Sequence, residues 1–408
     1  MTALAAAGGR TGWRIPFLLL AGGSLAGAGW AGLSRLGLAP AIAGAPAAMH
    51  GPVMVMGFLG SLIGLERAVA YARRWAFAAP GLTGLGAVAL LAGLPTTLAQ
   101  VALVLGSTAL ALISVALLRL QRSSQGTVLV VGALLGVIGN VAWGLGVPLH
   151  QVVAWWTAFL VLVIAAERLE LSRLGWASTA SRVAFARSLV LLVAGLVVAL
   201  VWGSGGQRLA GVGLLGLGLW LLRHDVARRT VRSAGVPRFM AIAALAGYFW
   251  LLLAGVLWVA LGSAAGGGAY DAEVHATLVG FVISMVFAHA PVIAAAVLRL
   301  PLIFSRGFYA HLGLLHLALA MRIGSDVSGQ PDLARLGALG GGIALLIFPL
   351  NTALAVVRSR STSRLPSNGG SADSPPGSRR ARGAEPPPGC ALHREGFPNP
   401  QRRHSRAA

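Results

Sequence analysis

The sequence predicts an all-α fold: a polytopic integral membrane bundle of about twelve transmembrane helices with the N and C termini both cytoplasmic. Three observations predict it. First, 56% of the 408 residues are hydrophobic and only 11% are charged, against about 25% charged residues in a soluble domain. That is too little charge to cover a water-facing surface, whereas a lipid-facing surface is itself apolar. Second, apolar runs recur along the chain at close to the ~20 residues that a spanning helix needs. Third, the arginines fall between those runs with a strong alternation. The 56 glycines agree with this plan, because small residues let membrane helices approach closely.

Taken in order, the apolar runs give spans at 15–35, 50–70, 76–96, 99–118, 126–147, 152–170, 187–204, 209–222, 239–262, 274–298, 309–325 and 335–357. The shortest, 209–222, reaches full length by extending through Arg208 and Arg223, whose stems can snorkel. The first span has the flanks of a signal peptide, with Arg10 and Arg14 before it and small residues after it. It reads as an uncleaved helix because spanning segments continue to residue 357. Residues 1–357 thus form one transmembrane domain. Residues 358–408 are rich in Ser, Pro, Gly and Arg and have no apolar period, which predicts a disordered cytoplasmic tail. His393, His404 and the single cysteine, Cys390, fall in that tail, so there is no disulfide framework and no cysteine metal cluster.

The arginines test the helix count. The net charge of +21 is carried by arginine alone, since the chain has no lysine. A basic balance also suits nucleic-acid binding, but these arginines sit in short gaps and the tail, so no nucleic-acid partner is expected. With the N-terminus inside, twenty-eight arginines fall in cytoplasmic segments. Only four, Arg35, Arg208, Arg322 and Arg335, fall outside. This is the split the positive-inside rule predicts, and one helix more or fewer would scramble it. The partner this plan requires is the lipid bilayer, and the expected location is a bacterial-type inner (plasma) membrane.

Ionisable residues inside spans are costly and mark function. Five of the nine histidines fall in or at the edge of spans: His50, His275, His289, His311 and His316. His50 opens the second span and His275 the tenth, both at the outer side. Two imidazoles at one level on different helices are what a haem held by two axial histidines needs. On an ideal helix Gly57, Gly64 and Ser61 fall near the face below His50. Such a face leaves room for a flat ligand, while the plainer alternative is that Gly60-x-x-x-Gly64 packs helices.

The other three histidines lie deeper. His289 follows His275 by fourteen residues, ~21 Å along an ideal helix and ~40° around it. His316 is the expected partner of His289 in a second metal site, with His311 the other candidate. Histidines bonding across helices are the plainer alternative. Arg322 closes the eleventh span on the outer side, where it can hold a haem propionate, pair with Asp326 or Asp332, or snorkel. Glu66-Arg67 and Glu167-Arg168 mark inner helix ends, as parts of a proton path or as interfacial salt bridges. Trp155-Trp156 looks like an aromatic belt. No phosphate-binding glycine loop, nucleophile–base pair or His-Glu-x-x-His motif is present.

At these residues the sequence resembles the haem–copper oxidase subunit I superfamily. Its second span, starting His50-Gly51-x-x-Met54, looks like that family's second helix, whose histidine ligates the low-spin haem. His275 stands where the family's tenth helix carries the other ligand, and Arg322 near its propionate arginines. The resemblance implies twelve spans, b-type haem and a redox partner. The departures are as specific. Residues 152–204 contain no histidine for the family's copper site, and the positions two away from His275 are Glu273 and Thr277. Terminal oxidase activity is therefore not expected. The stretch His275-Ala276-Thr277-Leu278-Val279-Gly280 more closely resembles the NnrS-type branch, which implies haem, copper and nitric oxide stress. A secondary transporter shares the twelve-span plan. It would show matching helix breaks in two halves, for which Gly51-Pro52 and Ala290-Pro291 are the candidates.

Overall fold

A computed structural model describes residues 11–41, 47–172, 178–289 and 304–362. They belong to one compact unit, Met1–Arg364. Among the described residues the chain forms twelve long helices and no strand. We number them α1 (Ile15–Arg35), α2 (Ala47–Tyr71), α3 (Arg74–Leu91), α4 (Thr96–Leu120), α5 (Ser124–Gly144) and α6 (Leu149–Ser172). The remainder are α7 (Thr179–Ala199), α8 (Gly203–His224), α9 (Gly235–Leu261), α10 (Gly267–His289), α11 (Phe308–Ser328) and α12 (Pro331–Thr362). Ten of them, all but α8 and α11, are long and apolar enough to cross a membrane. The protein is thus an all-α, multi-pass membrane bundle.

The expected boundaries shift where capping decides them. α7 starts at Thr179 rather than 187, because the Ser178 hydroxyl accepts the Ser181 amide and caps the helix there. Arg182 and Arg187 consequently lie on the helix, exposed. α8 does run through Arg208 and Arg223. α10 starts at Gly267, so His275 sits about two turns inside it rather than at its opening. α12 continues to Thr362. The rest of the expected disordered tail, and the Ala290-Pro291 break, lie outside the described residues. Gly51-Pro52 is no break, since both residues are helical.

Burial separates scaffold from centre. α6 is the most enclosed candidate span, with 83% of its apolar window buried, followed by α10 and α2; α12, at 11%, lies at the rim. Polar bonds fix α6 against its neighbours. Trp156 Nε1–H donates to Asn140 Oδ1 at 3.0 Å, and Asn140 Nδ2 donates to the Leu103 carbonyl at 3.2 Å, tying α4, α5 and α6 together. Trp155 and Trp156 are therefore not a lipid-facing belt: both are buried. The two helices that carry His50 and His275 are thus core helices, and both depart from α-geometry. Val53–Gly60 in α2 and Ala276–Ile283 in α10 are π-helical. Each eight-residue stretch begins within three residues of the histidine. π turns bond i to i+5, are rare, and recur at functional sites.

This geometry corrects the expected small-residue face below His50. With π turns in the path, side chains seven and fourteen residues on no longer lie under the histidine. A Cβ on Gly57 would overlap that of Ala87, and one on Gly64 would come 3.1 Å from the Pro80 nitrogen. Ser61 Oγ pairs with Thr83 Oγ1 at 3.0 Å. The face is filled by α3, with Ser24 of α1 beside Gly57. It packs helices and leaves no slot for a ligand.

Candidate functional site

Two polar clusters lie at opposite ends of α10. The one at the outer end gathers residues from α1, α2, α10 and α11. His50 is the first α-helical residue of α2, after a turn at Ala47–Met49. Its Nδ1 lies 2.7 Å from the Ala28 carbonyl of α1. Gly32, one turn further along α1, makes that approach available: a Cβ there would stand 2.9 Å from His50 Nδ1. His275 Nδ1 lies 2.8 Å from the Asp271 carbonyl and 3.4 Å from Asp271 Oδ1. The Asp271 carboxylate takes a bidentate pair from Arg322, at 2.6 Å from Nε and 2.8 Å from Nη2. Arg35, Asp271 and Arg322 lie within electrostatic reach of His50, which places it in the same cluster as His275.

Arg322 thus bonds neither Asp326 nor Asp332. Asp332 pairs instead with Arg335 at 3.2 Å. Asp271 carries that contact and supports His275 as well. Its place one turn before His275 was the available sequence signal, because residues four apart share a helix face.

The inner cluster is organised around Arg168, which is 3% exposed. Its Nη2 lies 2.7 Å from His289 Nε2 and 3.9 Å from the Met285 sulfur. Its Nη1 lies 3.9 Å from Asp225 Oδ2. Tyr248 donates to the same oxygen at 2.8 Å, and Asp225 Oδ1 accepts the Ala227 amide at 2.6 Å. Glu167, the neighbour of Arg168, faces elsewhere and pairs with Arg67, which also reaches Glu66 at 3.4 Å. Arg67 therefore joins its own neighbour Glu66 to Glu167 and cross-links α2 to α6, while Arg168 pairs elsewhere. The sequence alone gives little sign of the Arg168–Asp225–Tyr248 contacts, which join distant segments.

Donor and acceptor roles sort the five histidines. A carbonyl only accepts, so His50 and His275 each carry their proton on Nδ1 and leave the Nε2 lone pair unused. Neither Nε2 has a hydrogen-bond partner among the described residues, and neither is sealed off by protein. His289 donates Nδ1–H to the Met285 carbonyl at 2.8 Å, but its Nε2 accepts from Arg168, a guanidinium with no lone pair to give. His316 Nδ1 accepts from the Trp250 indole N–H at 2.9 Å, and the two rings stack. His311 Nδ1 accepts from the Asn351 amide at 3.2 Å, while the same amide donates to the Gly307 carbonyl. In both of these the proton is on Nε2, which is buried without a partner. The His311 ring is edged by Phe287 with centroids 4.7 Å apart and by Phe308 and Phe348, aromatic faces that can receive an N–H.

His289 and His316 are not brought together. His316 stacks on Trp250, which packs against Gly280 halfway along α10, whereas His289 lies at the inner end beside Arg168. Among the described residues no three His, Cys, Asp or Glu side chains are grouped to hold a metal ion, a grouping that a haem held by two histidines does not need. The donor set at the outer end suits such a haem. It offers two unused Nε2 lone pairs, with Arg322 Nη1 unpartnered among the described residues.

No curated protein and no solved structure matches the chain. One family model does, over residues 14–358, and that range takes in all twelve helices up to the inner end of α12 and both clusters. The chain belongs to the family described as Domain of unknown function (DUF8744).

Proposed function

We propose that this protein binds a b-type haem between His50 of α2 and His275 of α10, near the outer face of a bacterial-type inner membrane. Arg322 is positioned to meet a propionate. A single observation carries this reading: His50 and His275 each leave an Nε2 lone pair unused at the same end of the bundle, whereas Arg168, Trp250 and Asn351 engage His289, His316 and His311. The carbonyl bonds at Nδ1 fix the ring orientation, the arrangement that ligating histidines usually have. The resemblance to NnrS-type proteins and to haem–copper oxidase subunit I supports the same assignment. Bound there, haem would supply one-electron redox chemistry, in electron transfer with a redox partner, in haem handling or in relief of nitric oxide stress. His50 and His275 would hold it, Asp271 would orient His275, and the packed α2–α3 face would keep the deeper core dry.

Copper at His289, His311 or His316 has weaker support. An ion there would have to displace Arg168, or break the Asn351 or Trp250 bond, before finding a lone pair. The test is to purify the protein in detergent from cells supplied with haem precursor and record its reduced-minus-oxidised visible spectrum. Sharp low-spin bands, with about one haem per chain, are expected. A colourless protein that takes up no added haemin overturns the proposal and leaves transport of a small solute as the better use of twelve spans.

A further inference from the structure

An open hollow of about 440 Å³ lies at the inner end of the bundle, where α4 turns into α5, and shares no lining residue with either polar cluster. It is lined by Leu118, Arg119, Arg122, Ser123, Ser124 and Thr127. Its lining carries two guanidinium groups and no carboxylate, and among the described residues neither Arg119 nor Arg122 has an ion-pair partner. The hydroxyl of Ser124 adds a polar group to the same wall, while that of Thr127 donates to the Ser123 carbonyl at 3.2 Å. Ser123 is committed to capping, accepting the Gly126 amide at 3.0 Å. Two unpaired cations facing one hollow repel each other, and the first turn of α5 holds no acidic residue to relieve them. The positive end of the α5 dipole adds to the same potential. An anion in the hollow removes that repulsion. Leu118 supplies the apolar side of the hollow, so the wall is basic and hydroxylic with an apolar edge at the level of the cytoplasmic leaflet.

We infer that this hollow binds a phosphate group, with Arg119 and Arg122 as its cationic ligands and the hydroxyl of Ser124 as a secondary donor. Phosphate offers pairs of oxygens that planar guanidinium groups engage bidentately. Basic pockets between spans on the cytoplasmic side take phospholipid headgroups in this way. The same chemistry fits inorganic phosphate from the cytosol, and the experiment separates the two sources.

The full chain is placed in phosphatidylcholine nanodiscs, with or without phosphatidylglycerol, and retained lipid is counted by native mass spectrometry. Arg119→Gln/Arg122→Gln is compared with Arg228→Gln/Arg229→Gln, an exposed inner pair away from the hollow. Tight retention of phosphatidylglycerol, weakened about thirtyfold by the first double variant and little by the second, is the expected result for a lipid ligand. Inorganic phosphate titrated into phosphatidylcholine nanodiscs, followed by ³¹P line broadening, reads the other source. Saturable broadening lost in the same variant supports the site with free phosphate as its ligand. Equal weakening by both double variants, or no saturable binding of either probe, overturns the proposal. Both variants alter exposed side chains, so each is expected to fold, and thermal unfolding of each confirms that it has.

Discussion

The two polar clusters at the ends of α10 use the same residue types for opposite ends. At the outer end an arginine and an aspartate neutralise each other, Arg322 on Asp271, and the histidines beside them keep a lone pair free. At the inner end Arg168 is fully enclosed, its nearest carboxylate is 3.9 Å away, and it takes the lone pair of His289. The first arrangement leaves ligands available and the second commits the histidine lone pair to holding helices together. A buried histidine is thus read by which nitrogen its neighbours have claimed. Between the clusters lies the π-helical stretch of α10, which begins directly after His275.

That contrast can be broken from either side. The largest change in stability is expected from Arg168→Ala, which leaves the Asp225 carboxylate enclosed without its cation. Loss of one partner from a buried pair costs about 3–5 kcal/mol, read as a lower unfolding midpoint in detergent, with the haem spectrum of the surviving folded protein unchanged. Asp271→Asn should do the reverse. It removes the anchor of Arg322 and the carboxylate beside His275, and is expected to weaken haem affinity about 10–100-fold with a smaller change in unfolding, measured by haemin titration of the apoprotein. Gly57→Val would force a side chain into Ala87 and Ser24, at about 1–3 kcal/mol. If it costs nothing, the α2–α3 face is looser than described and a flat ligand between α2 and α3 becomes tenable again. Smallest of all is Arg335→Gln. Its pair with Asp332 is exposed, so the change should stay within about 0.5 kcal/mol, and a larger loss would mean that the rim carries stability here assigned to the core.

Much of the fold was legible because lipid imposes a simple rule on composition. The arginine alternation counted twelve helices, and the described residues form twelve long helices, of which ten, without α8 and α11, are long and apolar enough to cross a membrane. Boundaries were less legible because caps such as Ser178 act through single hydrogen bonds. The outer ends of α2 and α10 were legible from His50, His275 and Arg322. Their shared end followed from helix number alone. Their support was only half legible: Asp271 sat at a readable spacing, whereas Gly32 and the Ala28 carbonyl depend on how α1 crosses α2. The π turns were not legible, since no residue type demands them, and the face projected below His50 on an ideal helix was displaced. The deeper histidines stayed ambiguous because a donor on another helix, Arg168, Trp250 or Asn351, decides whether a ring has a lone pair to offer.

The most direct test is a histidine series read in one instrument: the reduced-minus-oxidised spectrum of the purified protein and of His50→Ala, His275→Ala, His289→Ala, His311→Ala and His316→Ala, each checked for folding. The low-spin bands should be present in the parent, lost in the first two variants and retained in the other three. Bands that survive both His50→Ala and His275→Ala, or that vanish with His289→Ala, would contradict the assignment of the outer histidines as ligands and the inner ones as structure.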